Sequence, residues 1–355
     1  MKTKKHINIP VFIPHSGCPH QCVFCNQRII SGEDSFNLAA AEDKIKAYLS
    51  AAGAATETEI AFFGGSFTGI PRADMIFLLE TARKYINGDP GKISSIRIST
   101  RPDYINDEIL FILKKYGVKT IELGIQCLNG GVLKKCKRGH TAEQAEEACR
   151  LVKEYGFGLI GQMMIGLPSA SGGDEEYTAE RICRLNADGA RIYPAVVFKG
   201  TELAYMTAAG DYAPLTVCEA VKRTAAVLQI FAENKLPVIR IGLCSSENLN
   251  AGAEIYAGGY HPAFGELAES EAYYNIISAK LDRIGENAVH GSELVISCPK
   301  GAMSKVIGHK RRNKLKIQSE YNVKNIKIIE NDAFWEYNYN IDIIILKNGE
   351  EIHCV

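Results

Sequence analysis

The sequence predicts an α/β fold, a parallel barrel or sheet of alternating strands and helices followed by a small α+β segment. Three observations support this. Runs rich in β-branched and aromatic residues alternate with amphipathic helical runs between residues 7 and 243. The chain has 355 residues, enough for a barrel of about 250 residues plus an appendage. Its composition, 46% hydrophobic and 23% charged, is that of an ordinary globular protein with ample material for a core.

The elements follow in order. INIPVFI (7–13) reads as a first strand that ends just before the loop GCPHQCVFCNQ (17–27). EIAFFGG (59–65) reads as the second strand, and its closing glycine pair lets backbone approach a partner with no Cβ in the way. MIFLLETARKYI (75–86) reads as a helix, then SIRIST (95–100) and KTIELGIQ (119–126) as strands. AEQAEEACRLVKEYG (142–156) is helical, GLIGQMMIGL (158–167) and ARIYPAVV (190–197) extended, CEAVKRTAAVLQIFAENK (218–235) helical and PVIRIGL (237–243) extended. In such an architecture chemistry gathers at the carboxyl ends of the strands. The cysteine loop sits at the first of those ends.

Charge and cysteine usage exclude several classes. With 41 basic and 41 acidic residues the formal net charge is zero, so any attraction to nucleic acid or membrane has to come from a local patch. The N-terminal MKTKKHINIPVFIPHSG has a basic start, but its apolar run is short and broken by prolines, unlike a signal-peptide core or a membrane span. A cytoplasmic location is expected. The 11 cysteines form no disulfide-like framework, as in a reducing compartment. Those at 127, 136, 149, 183, 218, 244, 298 and 354 read as small buried hydrophobes.

Cys18, Cys22 and Cys25 differ, because three soft thiolates on one loop can converge on an iron-sulfur cluster or a zinc ion, or act as redox partners. No second cysteine pair follows to complete a zinc knuckle. A 4Fe-4S cluster normally takes four thiolates, so three leave one iron open. The spacing C-x3-C-x2-C, with Phe24 before the last cysteine, resembles the signature of the radical S-adenosylmethionine (SAM) superfamily. That resemblance implies a partial (β/α)6 TIM-like barrel, a 4Fe-4S cluster whose open iron is chelated by SAM, and reductive cleavage of SAM to a 5′-deoxyadenosyl radical. It also implies that Gly64, Gly65 and Ser66 of GGSFTG hold the methionine end of SAM.

The resemblance narrows further along residues 5–245. STRPDYI (99–105), ELGIQCLNGGVLKKCKRGHT (122–141), GLP (166–168) and RIYPAVVFKGTEL (191–203) are similar to stretches of the Elongator catalytic subunit family, which modifies wobble uridine of tRNA. This implies SAM contacts for Gln126 and Arg138, an amide and a guanidinium suited to ribose and carboxylate. Ser99 and Gln162 occupy slots where relatives often have glutamate and aspartate. Lys199, after the sixth strand, is a candidate cation for an anionic substrate. A low-potential donor, flavodoxin or ferredoxin, is implied as electron source. The acetyltransferase-like domain of that family has no matching pattern after residue 245, so acetyl transfer is not inherited.

The expected division is a barrel over 1–245, a connecting region over 246–285 and a small basic α+β domain over 286–355. Residues 247–275 read as a loop and helix over the barrel mouth, with His261 and Glu266 as substrate-facing candidates and Glu269 close by. Residues 293–329 read as strand, helix, turn, helix, strand. The turn begins at Gly308 and carries Lys310, Arg311, Arg312 and Lys314, flanked by Lys305 and Lys316. This arrangement is similar to a KH module, whose G-x-x-G loop clamps a nucleic-acid backbone, although Arg311 stands at the second glycine. Such a patch would neutralise phosphates. A closing hairpin follows, with Trp335 packing rather than stacking on bases. The functional expectation is a radical SAM enzyme that modifies a nucleoside of tRNA. The alternatives are a radical SAM enzyme acting on a small molecule such as a tetrapyrrole, and a non-catalytic cluster-containing RNA-binding protein.

Overall fold

A computed structural model describes residues 5–13, 16–18, 22–31, 37–51, 56–88, 93–243, 252–334, 339–347 and 349–354. Cys244, Trp335 and residues 247–251 of the expected mouth-covering loop lie outside them. The chain divides into two compact units, Met1–Pro214 with Leu243–Gly258, and Leu215–Gly242 with Gly259–Val355.

In the first unit six strands lie side by side in chain order: β1 (Lys5–Phe12), β2 (Thr56–Phe63), β3 (Ile93–Thr100), β4 (Val118–Gln126), β5 (Gly158–Ile165) and β6 (Gly189–Pro194). Every neighbouring pair is parallel. Helices cover the returns; in β4 all residues from Ile121 to Gln126 are buried, while β3, β5 and β6 keep alternate residues half-buried. The α/β barrel-like sheet is therefore the one its alternating strand and helix runs predict.

Local chemistry fixes the helix starts. Asn106 caps the helix Asp107–Lys115 by accepting from the Ile109 amide at 2.9 Å, with acids in the first turn and lysines in the last. Thr141 and Gln144 form a reciprocal capping box at the head of Ala142–Glu154. Strand β7 (Val196–Phe198) pairs antiparallel with β9 (Ile255–Gly258), a ribbon the sequence reading does not anticipate.

The sheet also buries charge. Glu59 on β2, Arg97 on β3, Glu122 on β4 and Arg191 on β6 form one connected network. Arg97 donates to Glu59 at 2.8 Å and Glu122 at 3.1 Å, and Arg191 reaches Glu122 at 2.8 Å. Ser95 donates its hydroxyl to Glu59. Two carboxylates and two guanidiniums balance, which makes burial of this set tolerable.

In the second unit helix Val217–Glu233 packs on helix Phe264–Ile284, and β8 (Val238–Ile241) is short. A four-stranded sheet has the order β11 (Asn325–Asn331), β10 (Glu293–Pro299), β12 (Asp342–Lys347), β13 (Glu350–Cys354). Between the parallel β10 and β11 lie helix Met303–Ile307, a tight turn at His309–Arg311 and helix Arg312–Glu320. This is the expected strand, helix, turn, helix, strand, and β12 and β13 form the expected hairpin. Ile277, Leu281, Leu294, Ile296, Val306, Ile317, Ile343 and Ile345 make its core. Among the described residues no helix is long and apolar enough to cross a membrane.

Candidate active site

The cysteine loop is strapped to three neighbouring segments. Its start follows β1 and is tied to the loop after β2, where the Ser66 amide donates to the Ser16 carbonyl at 2.9 Å. Its middle donates from the Val23 amide to the Cys136 carbonyl at 3.2 Å and accepts from the Leu203 amide at 2.8 Å. The Gln27 side chain accepts from the Gly65 amide at 2.6 Å.

Gly65 has φ +52°, and a Cβ there would lie 2.2 Å from the Ser16 carbonyl oxygen. Glycine is required because the two loops touch through their backbones. Ser66 is fully buried, and its hydroxyl lies 2.9 Å from that of Thr100 and accepts from the Arg101 amide. It ties the β2 and β3 ends together. Phe24 packs in an apolar cluster with Val23, Cys127, Val132 and Leu203.

The three thiols are near enough to feel one another's charge. Burial pushes the Cys25 thiol up to about 12, with Cys22 and Cys18 adding to the rise. Burial also raises Cys18, opposed by Arg101 and Arg138. Among the described residues no set of three or more His, Cys, Asp or Glu is drawn together as a ready-made metal cage. Thiols held protonated by burial and mutual repulsion are what a bound cationic centre would relieve, since thiolate is the ligand form.

At the end of β4 the backbone turns left-handed at Gln126, with φ +66°, and this places its amide in a buried position. Gln126 Oε1 and Arg138 Nε are both buried with no hydrogen-bond partner. Arg138 donates one Nη to the Gly124 carbonyl at 2.6 Å and sets the other 3.5 Å from Cys22 Sγ. Gly124 makes room for this pair, because a Cβ there would lie 2.6 Å from Arg138 Nη2 and 2.8 Å from Gln126 Nε2. Orphaned polar atoms beside a thiol set suit a polar ligand next to a soft metal centre.

Ser99 and Gln162 are half-buried on β3 and β5, with Ser99 level with Glu122 and Gln162 level with Gly124. Lys199 is exposed just after β7, where its backbone amide donates to the Glu254 carbonyl. His261 and Glu266 belong to the second unit. His261 Nδ1 accepts from the Ala263 amide at 3.0 Å, and Glu266 is exposed in the first turn of Phe264–Ile284.

The sequence reading missed Arg101, Asp103 and His140. Arg101 is 2% exposed and grips Asp103 with two 2.9 Å hydrogen bonds. Burial works against the Asp103 charge, but the Arg101 fork holds its carboxyl below the usual range. His140 is fully buried 3.8 Å from Asp103, and burial together with Arg138 lowers its pKa to about 3, so the ring is neutral. STRPDYI and KRGHT contain all three, but no spacing rule in them signals proximity to a thiol.

In the second unit Gly308 has φ +81°, and a Cβ there would lie 2.8 Å from the Asn313 amide nitrogen. Lys310 and Arg311 follow in left-handed backbone, with φ +52° and +64°. Arg311 thus holds, at some strain, a conformation that glycine adopts freely. Lys310, Arg311 and Arg312 are exposed. The patch is less free of acids than its sequence suggests. Lys305 pairs with Glu269 at 2.7 Å, Arg312 with Glu271 at 3.9 Å and Lys316 with Glu320 at 3.8 Å, while Lys314 donates to the Ile326 carbonyl.

Residues 12–182 match the Radical SAM superfamily model, and residues 187–274 match the Radical_SAM C-terminal domain. The chain belongs to the radical SAM superfamily, whose cofactors are a 4Fe-4S cluster and SAM.

Its relatives include the tRNA uridine(34) acetyltransferase of Methanocaldococcus jannaschii, 33% identical over 150 residues, which are 41% of this chain and 27% of that protein. Elongator complex protein 3 of Saccharomyces cerevisiae is 30% identical over 192 residues, 49% of this chain and 34% of that one. This chain thus spans about a third or less of the length of those relatives. An uncharacterized M. jannaschii protein is 27% identical over 255 residues, 66% of this chain and 77% of that protein. The structure of the archaeal Methanocaldococcus infernus Elp3 with an N-terminal deletion shares the fold, with a TM-score of 0.59 and 21% identity over 78% of this chain and 63% of that one.

Proposed function

We propose that this chain is an Elongator-like radical SAM enzyme that modifies a nucleoside of tRNA, with Cys18, Cys22 and Cys25 as the ligands of its cluster. When bound and reduced, the cluster and SAM supply a 5′-deoxyadenosyl radical, and the protein's part is to hold and orient them. The carrying observation is the convergence of the thiol loop with two orphaned polar groups, Gln126 Oε1 and Arg138 Nε, at the end of β4.

Gln126 and Arg138 present a buried amide and guanidinium for the polar parts of SAM. Gly64 and Gly65, with φ of +75° and +52°, set the turn that presents backbone to the methionine end of SAM, Gly65 by letting that turn close on Ser16. Ser66 holds that backbone, while Ser99 on β3 and Gln162 on β5 offer neutral hydrogen-bonding groups on the strands either side of β4. Phe24 packs the loop and keeps water from it. Gly308, Lys310, Arg311, Arg312 and Lys314 form a phosphate-facing turn for RNA, the first three of these four cations being exposed. Lys199, His261 and Glu266 remain substrate-side candidates. A flavodoxin or ferredoxin supplies the electron, and the setting is cytoplasmic.

The names of the relatives, tRNA uridine(34) acetyltransferase and Elongator complex protein 3, support tRNA over a tetrapyrrole. The test is anaerobic SAM cleavage by the reconstituted protein with and without bulk tRNA. The reading expects 5′-deoxyadenosine to rise with tRNA, and cleavage indifferent to tRNA would refute RNA as substrate.

A further inference from the structure

Two guanidiniums lie on one thiol. Arg138 places an Nη 3.5 Å from Cys22 Sγ, and Arg101 places its own 3.9 Å from the same sulfur. Both side chains are immobilised elsewhere. Arg101 is clamped by both oxygens of Asp103 and donates to the Arg138 carbonyl at 2.5 Å. Arg138 is fixed by the Gly124 carbonyl. Cys22 is 8% exposed and Arg101 2%, so little water screens the contact.

We propose that Arg101, locked by Asp103, forms with Arg138 a two-guanidinium clamp on Cys22 that fixes this thiolate and raises the reduction potential of the cluster it holds. The inference rests on the reading of Cys22 as a cluster ligand. One-electron reduction adds one negative charge to the cluster and its thiolates, with the electron coming from a low-potential donor and no bond broken in the step. Buried N–H donors and positive charge beside a ligand sulfur stabilise that added charge. Asp103 opposes them, so the potential reflects the balance of the pair. Arg101 is a positioning residue, acting through Cys22 rather than on substrate.

The experiment is a dithionite titration of the reconstituted protein, followed by electron paramagnetic resonance and paired with iron analysis. Wild type, Arg101→Gln and Asp103→Asn are compared. Arg101→Gln is expected to lower the reduced-to-oxidised ratio at fixed potential about tenfold, equivalent to about 59 mV for a one-electron couple. Asp103→Asn keeps one oxygen acceptor for Arg101 and removes the opposing charge, so it is expected to raise the ratio. An unshifted potential in either loaded variant, or a shift of the opposite sign, overturns the proposal.

If Arg101→Gln fails to take up iron, the sign of the Asp103→Asn shift decides. If neither variant loads while both keep their circular dichroism, the clamp is purely structural and the tuning role is wrong. A wild type that binds no iron would instead refute the cluster reading itself, a distinguishable outcome.

Discussion

Replacing Glu122 by Gln tests whether the buried charge network holds the barrel strands. Glu122 is 2% exposed and is the shared partner of Arg97 and Arg191, which are 12% and 13% exposed. The amide keeps the shape and one acceptor but removes the charge, leaving two guanidiniums facing the single carboxylate of Glu59. Removing one partner of a buried ion pair costs about 3–5 kcal/mol, because the remaining charge is uncompensated. Arg191 also lies over the Phe63 ring at 5.3 Å, which recovers only a part of this.

Because the chain has two units, a single melting temperature would mix them. Amide hydrogen exchange read on peptides from β3, β4 and β6 isolates the effect. At 1.36 kcal/mol per tenfold change, exchange there should accelerate roughly 10²- to 10⁴-fold. Peptides from β10 and β11 should be unchanged. Acceleration below about fivefold in the first set would refute the network's role.

Three further outcomes follow from the geometry. Gly124→Ala should push Arg138 and Gln126 off the site, weakening SAM binding about 10- to 100-fold by equilibrium dialysis while far-ultraviolet circular dichroism is unchanged. His140 is held neutral with a pKa near 3, below its unfolded value of about 6.5, so its contribution is complete above pH 6.5 and is lost as pH falls toward 3. Between pH 6.5 and 5 the cluster-free protein should lose about 1.6 kcal/mol more than His140→Phe, read by amide hydrogen exchange on β4 peptides, and equal losses would contradict this. Replacing Lys310 and Arg311 by Ala should weaken tRNA binding and reduce the slope of log affinity against log salt by about 0.7–0.9 per lost phosphate contact in a filter-binding assay.

The barrel was legible because its strands carry short apolar runs closed by glycine, as in EIAFFGG and GLIGQMMIGL, and because the helices between them keep a 3.6-residue period. The thiol loop was legible through spacing, and the C-terminal helix–turn–helix through its glycine-led turn. Residues that meet only through the fold were not. Arg101 is one arginine among many, and its place beside Cys22 depends on β3 ending next to the cysteine loop. Glu59, Arg97, Glu122 and Arg191 lie on four different strands, and only the register lines them up. The β7–β9 ribbon was hidden because three residues after Pro194 carry no periodicity. The acids that pair with Lys305 and Arg312 were missed for a similar reason, since Glu269 and Glu271 come from another helix, whereas Lys316 and Glu320 are an i,i+4 pair that helical spacing does show.

Cys18, Cys22 and Cys25 are proposed to hold the cluster at which SAM is cleaved. The direct measurement is 5′-deoxyadenosine formed under anaerobic conditions by reconstituted protein with dithionite and SAM, compared between wild type and Cys22→Ala. Wild type should form product and the variant none above background. Equal product from both, or none from a wild type fully loaded with iron and sulfide and supplied with tRNA, would contradict it.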